Sequence, residues 1–315
     1  SNSYIISEPD TRYIIDVTHI GETSQKITPA DAKVLWQSDS KLINYCEFKP
    51  EDGTFSFFVG SKEIKDSYGR VEKLVVPQGN AVVAAYDNDG NILWSWHLWL
   101  TPEIVEEKLI ATSAEVFMDR NLGAYSNSAG SKSGDDIYNS YGLFYQWGRK
   151  DPLPAASAFS ADQSPKWGLP TYTDIPEYQK GDGLIFTENR ADNVYCMGGG
   201  SFTLQEAVEA SVKHPHKSMA NGTSDNNDPY HWAMPPLGSG EKFRTTPERS
   251  HWRTLWGSVD GYNSVKTIFD PCPPGWKVPT VDLYVYAFGG SRKTSNGYGY
   301  YSEKFDLFMP CAGQR

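Results

Sequence analysis

The chain has 315 residues, and its 29 Lys and Arg against 39 Asp and Glu give a formal charge of −10 and a pI near 5.1. That balance excludes a general nucleic-acid binder, which needs a basic surface, and a polybasic stripe for docking on anionic lipid. No apolar run reaches the roughly 18 residues of a membrane span, and at roughly 150 residues per domain the length suggests two domains.

Aromatic residues make up 14% of the chain, with 10 Trp, 19 Tyr and 14 Phe, although the mean hydropathy is only −0.53. With 28 Gly and 20 Pro, this composition indicates a loop-rich, mostly β protein rather than a helical bundle. Residues 1–101 read as a β-sandwich domain. Ser3–Ser7 and Tyr13–Val17 are short β-branched and aromatic runs around a Glu8-Pro9-Asp10 turn. Phe55–Val59 and Val71–Val76 have the same character. The clearest hairpin joins Ala81–Tyr86 to Ile92–Leu100 through Asp87-Asn88-Asp89-Gly90-Asn91. Period-two alternation places Ile92, Trp94, Trp96, Leu98 and Leu100 on one face. Leu93, Ser95, His97 and Trp99 lie on the other, which is expected to be partly covered.

Residues 102–115 read as a linker, opening at Thr101-Pro102 with a charged segment that suits a short helix. Residues 116–315 form the second domain, dense in Gly, Asn, Ser and Trp and dominated by long loops between Tyr125 and Thr254. One helix is well signalled there. Thr203 and Glu206 make a capping box, Leu204, Val208 and Val212 form a stripe, and Pro215 stops it.

The usual enzyme templates are missing from the sequence: no Walker loop, no G-x-G-x-x-G opening a helix and no G-x-S-x-G elbow. Gly198-Gly199-Gly200 reads as a turn into the capped helix. The His214-x-His216 pair flanks Pro215 and reads as a polar loop past the helix end rather than a metal site. Asp87–Gly90 looks like part of a calcium loop but lacks the distal Glu, and turn chemistry explains it. Asp225-Asn226-Asn227-Asp228 precedes Pro229-Tyr230-His231-Trp232. There the oxygen-rich residues Asp225, Asn227 and Asp228, beside Tyr230 and Trp232, suit sugar binding, with calcium as an optional helper and no other cofactor expected. Trp167, Tyr298 and Tyr300 lie in Gly-rich or polar surroundings and complete the candidate ligand-binding set. Trp94, Trp96, Trp147, Trp252, Trp256 and Trp276 read as core anchors. Cys46, Cys196, Cys272 and Cys311 are too few and scattered for a disulfide framework.

Three phrases are more specific than composition. They are Val116-Phe117-Met118-Asp119-Arg120-Asn121-Leu122-Gly123-Ala124, the run from Tyr141-Gly142-Leu143-Phe144-Tyr145-Gln146-Trp147-Gly148 to Arg149-Lys150-Asp151-Pro152, and the run from Lys266-Thr267-Ile268-Phe269-Asp270 through Pro271-Cys272-Pro273-Pro274-Gly275-Trp276 to Thr280. In this order they resemble the Fibrobacter succinogenes major paralogous domain, a family of surface lipoproteins and fimbria-associated proteins. The resemblance implies a C-type-lectin-like mixed α/β domain with long loops, making the whole chain a β-rich α+β protein. It also implies an extracellular place, on the outer-membrane surface or a fimbrium, and adhesion to a surface glycan or protein, with other pilus subunits as further partners. The sugar-site triplets of calcium-dependent lectins do not occur in this sequence. Against the family pattern the chain stops early, after Pro310-Cys311-Ala312-Gly313-Gln314-Arg315, so the domain is expected to lack its usual C-terminal end. Cys272 is then free or paired with Cys196 or Cys311. A binding protein, not an enzyme, is the expectation. The alternatives are a structural fimbrial subunit joined by strand addition and a glycan- or sulfatase-related enzyme.

Overall fold

The computed structural model describes residues 1–21, 23–39, 42–109, 116–127, 140, 142–153, 179–180, 194–197, 202–220, 255–257, 265–279, 292–293, 299–302 and 307–310. The fold is β-rich. Strands β1 (Ser3–Ile6), β2 (Thr11–Asp16), β3 (Asp31–Gln37), β4 (Asn44–Lys49) and β5 (Thr54–Val59) come first. They are followed by β6 (Lys62–Lys65), β7 (Val71–Val75), β8 (Gly79–Tyr86) and β9 (Ile92–Leu100). A five-stranded sheet has the order β1-β9-β8-β3-β12, where β12 is Gln179–Lys180, and a three-stranded sheet has the order β2-β5-β4. β1 runs parallel to β9, while the β9-β8-β3 ladder is antiparallel. β3, β4 and β6 are strands beyond those the composition of the first region suggests. β4 and β6 are exposed and polar along most of their length, so they lack the apolar alternation that betrays a strand.

The two sheets contribute to one apolar cluster. Trp94, Trp96, Leu98 and Leu100 of β9 join Ala81, Val83 and Ala85 of β8, Ile6 of β1, and Phe55, Phe57 and Val59 of β5. Tyr13 of β2 stacks on Phe57 at 5.5 Å between ring centroids. Each such large side chain, fully buried, contributes roughly 1.5–3 kcal/mol.

The hairpin forms as expected, and Asp87 organises its loop by accepting from Asp89 N, Asn91 N and Asn91 Nδ2 at 2.8–2.9 Å. The face assignment of Ile92 is corrected. Ala85 pairs with Trp94 but Tyr86 pairs with Ile92, so Leu93 is an extra residue in β9. One inserted residue flips the facing of what precedes it. Ile92 therefore joins a second cluster with Leu35, Trp36, Val82, Ala84, Tyr86 and Leu143.

The charged segment after Thr101 holds no helix: Glu107–Leu109 is strand β10, paired antiparallel with β11 (Val116–Met118). β13 (Val194–Cys196) and β14 (Ser218–Ala220) pair in parallel, and β15 (Arg292–Lys293), β16 (Gly299–Ser302) and β17 (Leu307–Pro310) form a further sheet. Helix α1 (Leu204–Lys213) carries the expected capping box: the Thr203 side chain accepts from Glu206 N, and the Glu206 carboxylate accepts from Thr203 N. Its buried side centres on Ala207 and Ser211. Leu204 and Val208 pack with Phe202 and Met219, and Val212 packs on the main cluster.

Candidate functional site

The second face of β9 carries Ser95, His97 and Trp99 and is fully buried. Pairing with β8 puts Asn80 and Val82 on the same face. His97 Nε2 lies 2.9 Å from Asn80 Oδ1, and Nδ1 lies 2.9 Å from Ser3 Oγ and 3.3 Å from the Tyr145 hydroxyl. Asn80 Nδ2 is already donating to Gly123 O, so Asn80 Oδ1 accepts. His97 is therefore the Nε2–H tautomer, and its Nδ1 is an acceptor whose one lone pair faces the Ser3 and Tyr145 hydroxyls. Burial pushes the His97 pKa down to about 3, and burial keeps the Tyr145 phenol protonated far above its ordinary range. Trp99 completes this face by donating Nε1–H to Ala124 O.

Residues 142–152 of the second motif clasp this face. His97 N donates to Asn2 O on the β1 side, so Ser95, two residues earlier, also directs its carbonyl to that side, beyond the start of β1. Lys150 fills the position: its Nζ donates to Ser95 O at 3.0 Å, to Ser95 Oγ at 2.5 Å and to Asp151 Oδ1 at 2.6 Å. The ammonium also lies 4.5 Å from the Trp94 ring centroid. Gln146 imitates a strand, donating to Met219 O and accepting from Met219 N. Arg149 donates to the carbonyls of Ser211, His214, Pro215 and Lys217. This places a cation at the C-terminus of α1, where unpaired carbonyls gather. Burial lowers the Arg149 pKa to about 10, with Asp151 opposing that shift. The Arg149 carbonyl in turn accepts from Trp256 Nε1, and Trp256 packs on Trp147 at 4.8 Å between centroids.

The other two motifs are also spent internally. In 116–124, Arg120 makes a two-pronged contact with Asp119 and reaches back to Glu103 and Ile104 O. Gly142 takes φ +70°, and a Cβ there would lie 2.4 Å from Leu122 O, so glycine is required for this approach. In the third motif, Asp270 accepts from Cys272 N and Val278 N. Lys266 Nζ donates to the carbonyls of Cys272 and Trp276 at 2.6 and 2.7 Å. Asn2 ties this loop to the sheet, donating to Ile268 O and Asp270 O and accepting from Trp94 Nε1.

Chemically, Ser95, Lys150 and Asp151 have the residue types of a nucleophile with its base, but Ser95 is 0% exposed. Its hydroxyl donates to Asp151 Oδ1 at 2.6 Å, and the trio acts as a brace. Burial, with Asp270 beside it, holds Cys272 well above its ordinary pKa, so it stays a thiol. Cys46, Cys196 and Cys272 are free. Among the described residues no group of three or more His, Cys, Asp or Glu side chains is placed to hold a metal ion.

Of the predicted ligand-binding residues, Trp167, Asp225, Asn227, Asp228, Tyr230, Trp232 and Tyr298 lie outside the described residues, as do Trp252 and Cys311. Tyr300 occupies a position in β16 opposite Lys293 and Met309. Trp94 and Trp96 are buried as expected, whereas Trp147, Trp256 and Trp276 are half-buried. The expectation of a polar loop at 214–216 is corrected: His216 is buried, and the His214 ring stacks on Tyr195. Asn2, Asn80, Ser95 and His97 were not singled out from sequence. Their signal was a Trp-rich strand interrupted by Ser95 and His97, which marks a face covered by polar partners rather than apolar ones. Comparison with known proteins finds no matching family model, no matching curated protein and no matching solved structure.

Proposed function

We propose that the protein is an extracellular adhesion protein, at the cell surface or a pilus tip, that binds a glycan or protein through aromatic segments of its second region. The observation that supports this is the fate of the motif side chains. Asp119, Arg120, Gln146, Arg149, Lys150, Asp151, Lys266 and Asp270 all bond to the protein itself, which leaves recognition to the segments between the motifs. Those segments start and return at anchored points. Residues 154–178 run from Leu153, bridged to Phe144, to Gln179, paired with Gln37. Residues 221–254, which carry Asp225, Asn227, Asp228, Tyr230 and Trp232, leave from β14.

In this reading the two sheets around the shared cluster are a sandwich, and the second region is a C-type-lectin-like unit. Trp and Tyr rings stack on an apolar ligand face while Asp and Asn supply directed hydrogen bonds. The test is a glycan and host-matrix array with the intact protein, with and without EDTA. A specific hit abolished by Trp232→Ala supports the reading, and EDTA sensitivity adds calcium at Asp225–Asp228. A clean blank overturns it in favour of a structural fimbrial subunit.

A further inference from the structure

The turn after α1 reads Lys213-His214-Pro215-His216-Lys217. His214 is the C-cap residue, with its backbone N–H donating to Ala210 O. Its ring stacks on Tyr195 of β13, with centroids 4.0 Å apart and planes 20° apart. The His216 ring lies edge-on to His214 at 6.5 Å. His216 is 7% exposed, and neither of its ring nitrogens has a hydrogen-bond partner among the described residues. Arg149 grips the same turn through the carbonyls of His214, Pro215 and Lys217. Among the described residues, the charged side chains that bear on the two rings are cations: Lys217 and Arg149 on both, and Lys213 on His214.

We propose that this turn is an acid-sensitive latch, in which protonation of His214 and His216 releases residues 214–217 and, with them, the β13–β14 pair. β14 (Ser218–Ala220) follows the turn without a break, and β13 meets it through Tyr195. Lys217 N donates to His214 O, and Met197 N donates to Ala220 O at the end of β14. Tyr195, on β13, is the platform under His214. A buried imidazole with no partner is already unfavourable when neutral. Once protonated it carries two donors without acceptors and a charge among cations, and only exposure to water relieves both.

The direction of the response follows from the same contacts. Burial first, then Lys217, pushes His216 down to about 3 and His214 to about 4, while in the open turn both titrate near the ordinary value of about 6.5. Opening therefore takes up protons, so the latch is closed above about pH 6.5 and loosens as the pH falls below it. β14 leads directly into residues 221–254. That acid thereby loosens the ligand-binding segment rests on the function proposed above, whereas the latch itself does not.

Amide exchange measured by NMR on the intact chain, from pH 7.5 to 5, tests this without any ligand. Protection of the Met197, Lys217 and Met219 amides is expected to fall below pH 6.5 with a slope approaching two, that is, up to about tenfold per pH unit for each imidazole. The β8–β9 amides are expected to stay better protected. His214→Phe and His216→Phe keep the rings and their volume. Each should lower the slope by one, the pair should abolish it, and His216→Phe should raise protection at neutral pH. An unchanged slope in the double variant overturns the proposal. So does exchange of the latch amides in step with β8–β9, which would make the event global unfolding. A blank glycan array with a working latch rejects only the adhesion reading.

Discussion

The two faces of β9 are held by opposite means. Under Trp94, Trp96, Leu98 and Leu100 lies an apolar cluster shared with β5, where attraction is non-directional and scales with the area removed from water. Over Ser95, His97 and Trp99 lies a seam of directed bonds to Ser3, Tyr145, Lys150, Asp151 and Ala124. The first asks only for volume of the right shape. The second asks that every donor meet its acceptor, since an orphaned buried group costs its full desolvation. Strand β9 is thus held differently on each side.

The sharpest way to break the contrast is at Lys150. Lys150→Met leaves the Asp151 carboxylate buried and Ser95 O without its donor, so a loss of about 3–5 kcal/mol is expected in denaturant unfolding. The double change Lys150→Met with Asp151→Leu should recover most of that, because removing both charges removes the unmet demand. On the apolar face, Phe57→Ala should cost about 3–5 kcal/mol through the cavity it leaves, and Phe57→Leu about 1. Equal losses for the two Phe57 variants, or no recovery in the double Lys150 variant, would erase the distinction.

Acid should sharpen it. His97 and His216 have folded pKa values pushed down to about 3, so the unfolded chain binds more protons as pH drops below about 6.5. Stability is fully present above that value and declines as the pH falls toward the folded pKa values. Between pH 7 and pH 5 each contributes a loss of about 2 kcal/mol, read as a falling midpoint in pH-dependent unfolding curves. His97→Gln should remove the seam's share of that loss and leave the latch's share. A similarly small effect is expected at the start of α1. Thr203→Ala removes the cap of α1 and is expected to cost about 1 kcal/mol with little change in pH dependence, measured by the same denaturation.

Much of the fold was legible in residues. The β8–β9 hairpin was marked by alternation around an Asp-Gly loop, and α1 by Thr203, Glu206 and Pro215, because both signals are local and short-range. The facing of Ile92 was not legible, since a bulge at Leu93 depends on how the partner strand is registered. Nor was the role of the three motifs. Arg149, Lys150 and Asp270 are charged and sit in Gly- and Pro-rich stretches, which in sequence resemble exposed functional loops, yet they are buried and bonded to backbone carbonyls or amides.

By itself the sequence determined a β-rich chain, its aromatic core strand and one capped helix. Those rest on composition, period and nearest-neighbour chemistry. Only the tertiary structure decided which polar residues are interior braces. It also placed Asn2 against residues 268 and 270 and left the ring nitrogens of His216 buried with no hydrogen-bond partner among the described residues. Pairing between residues hundreds of positions apart depends on where backbone donors and acceptors fall once strands are stacked, and no local pattern carries that information.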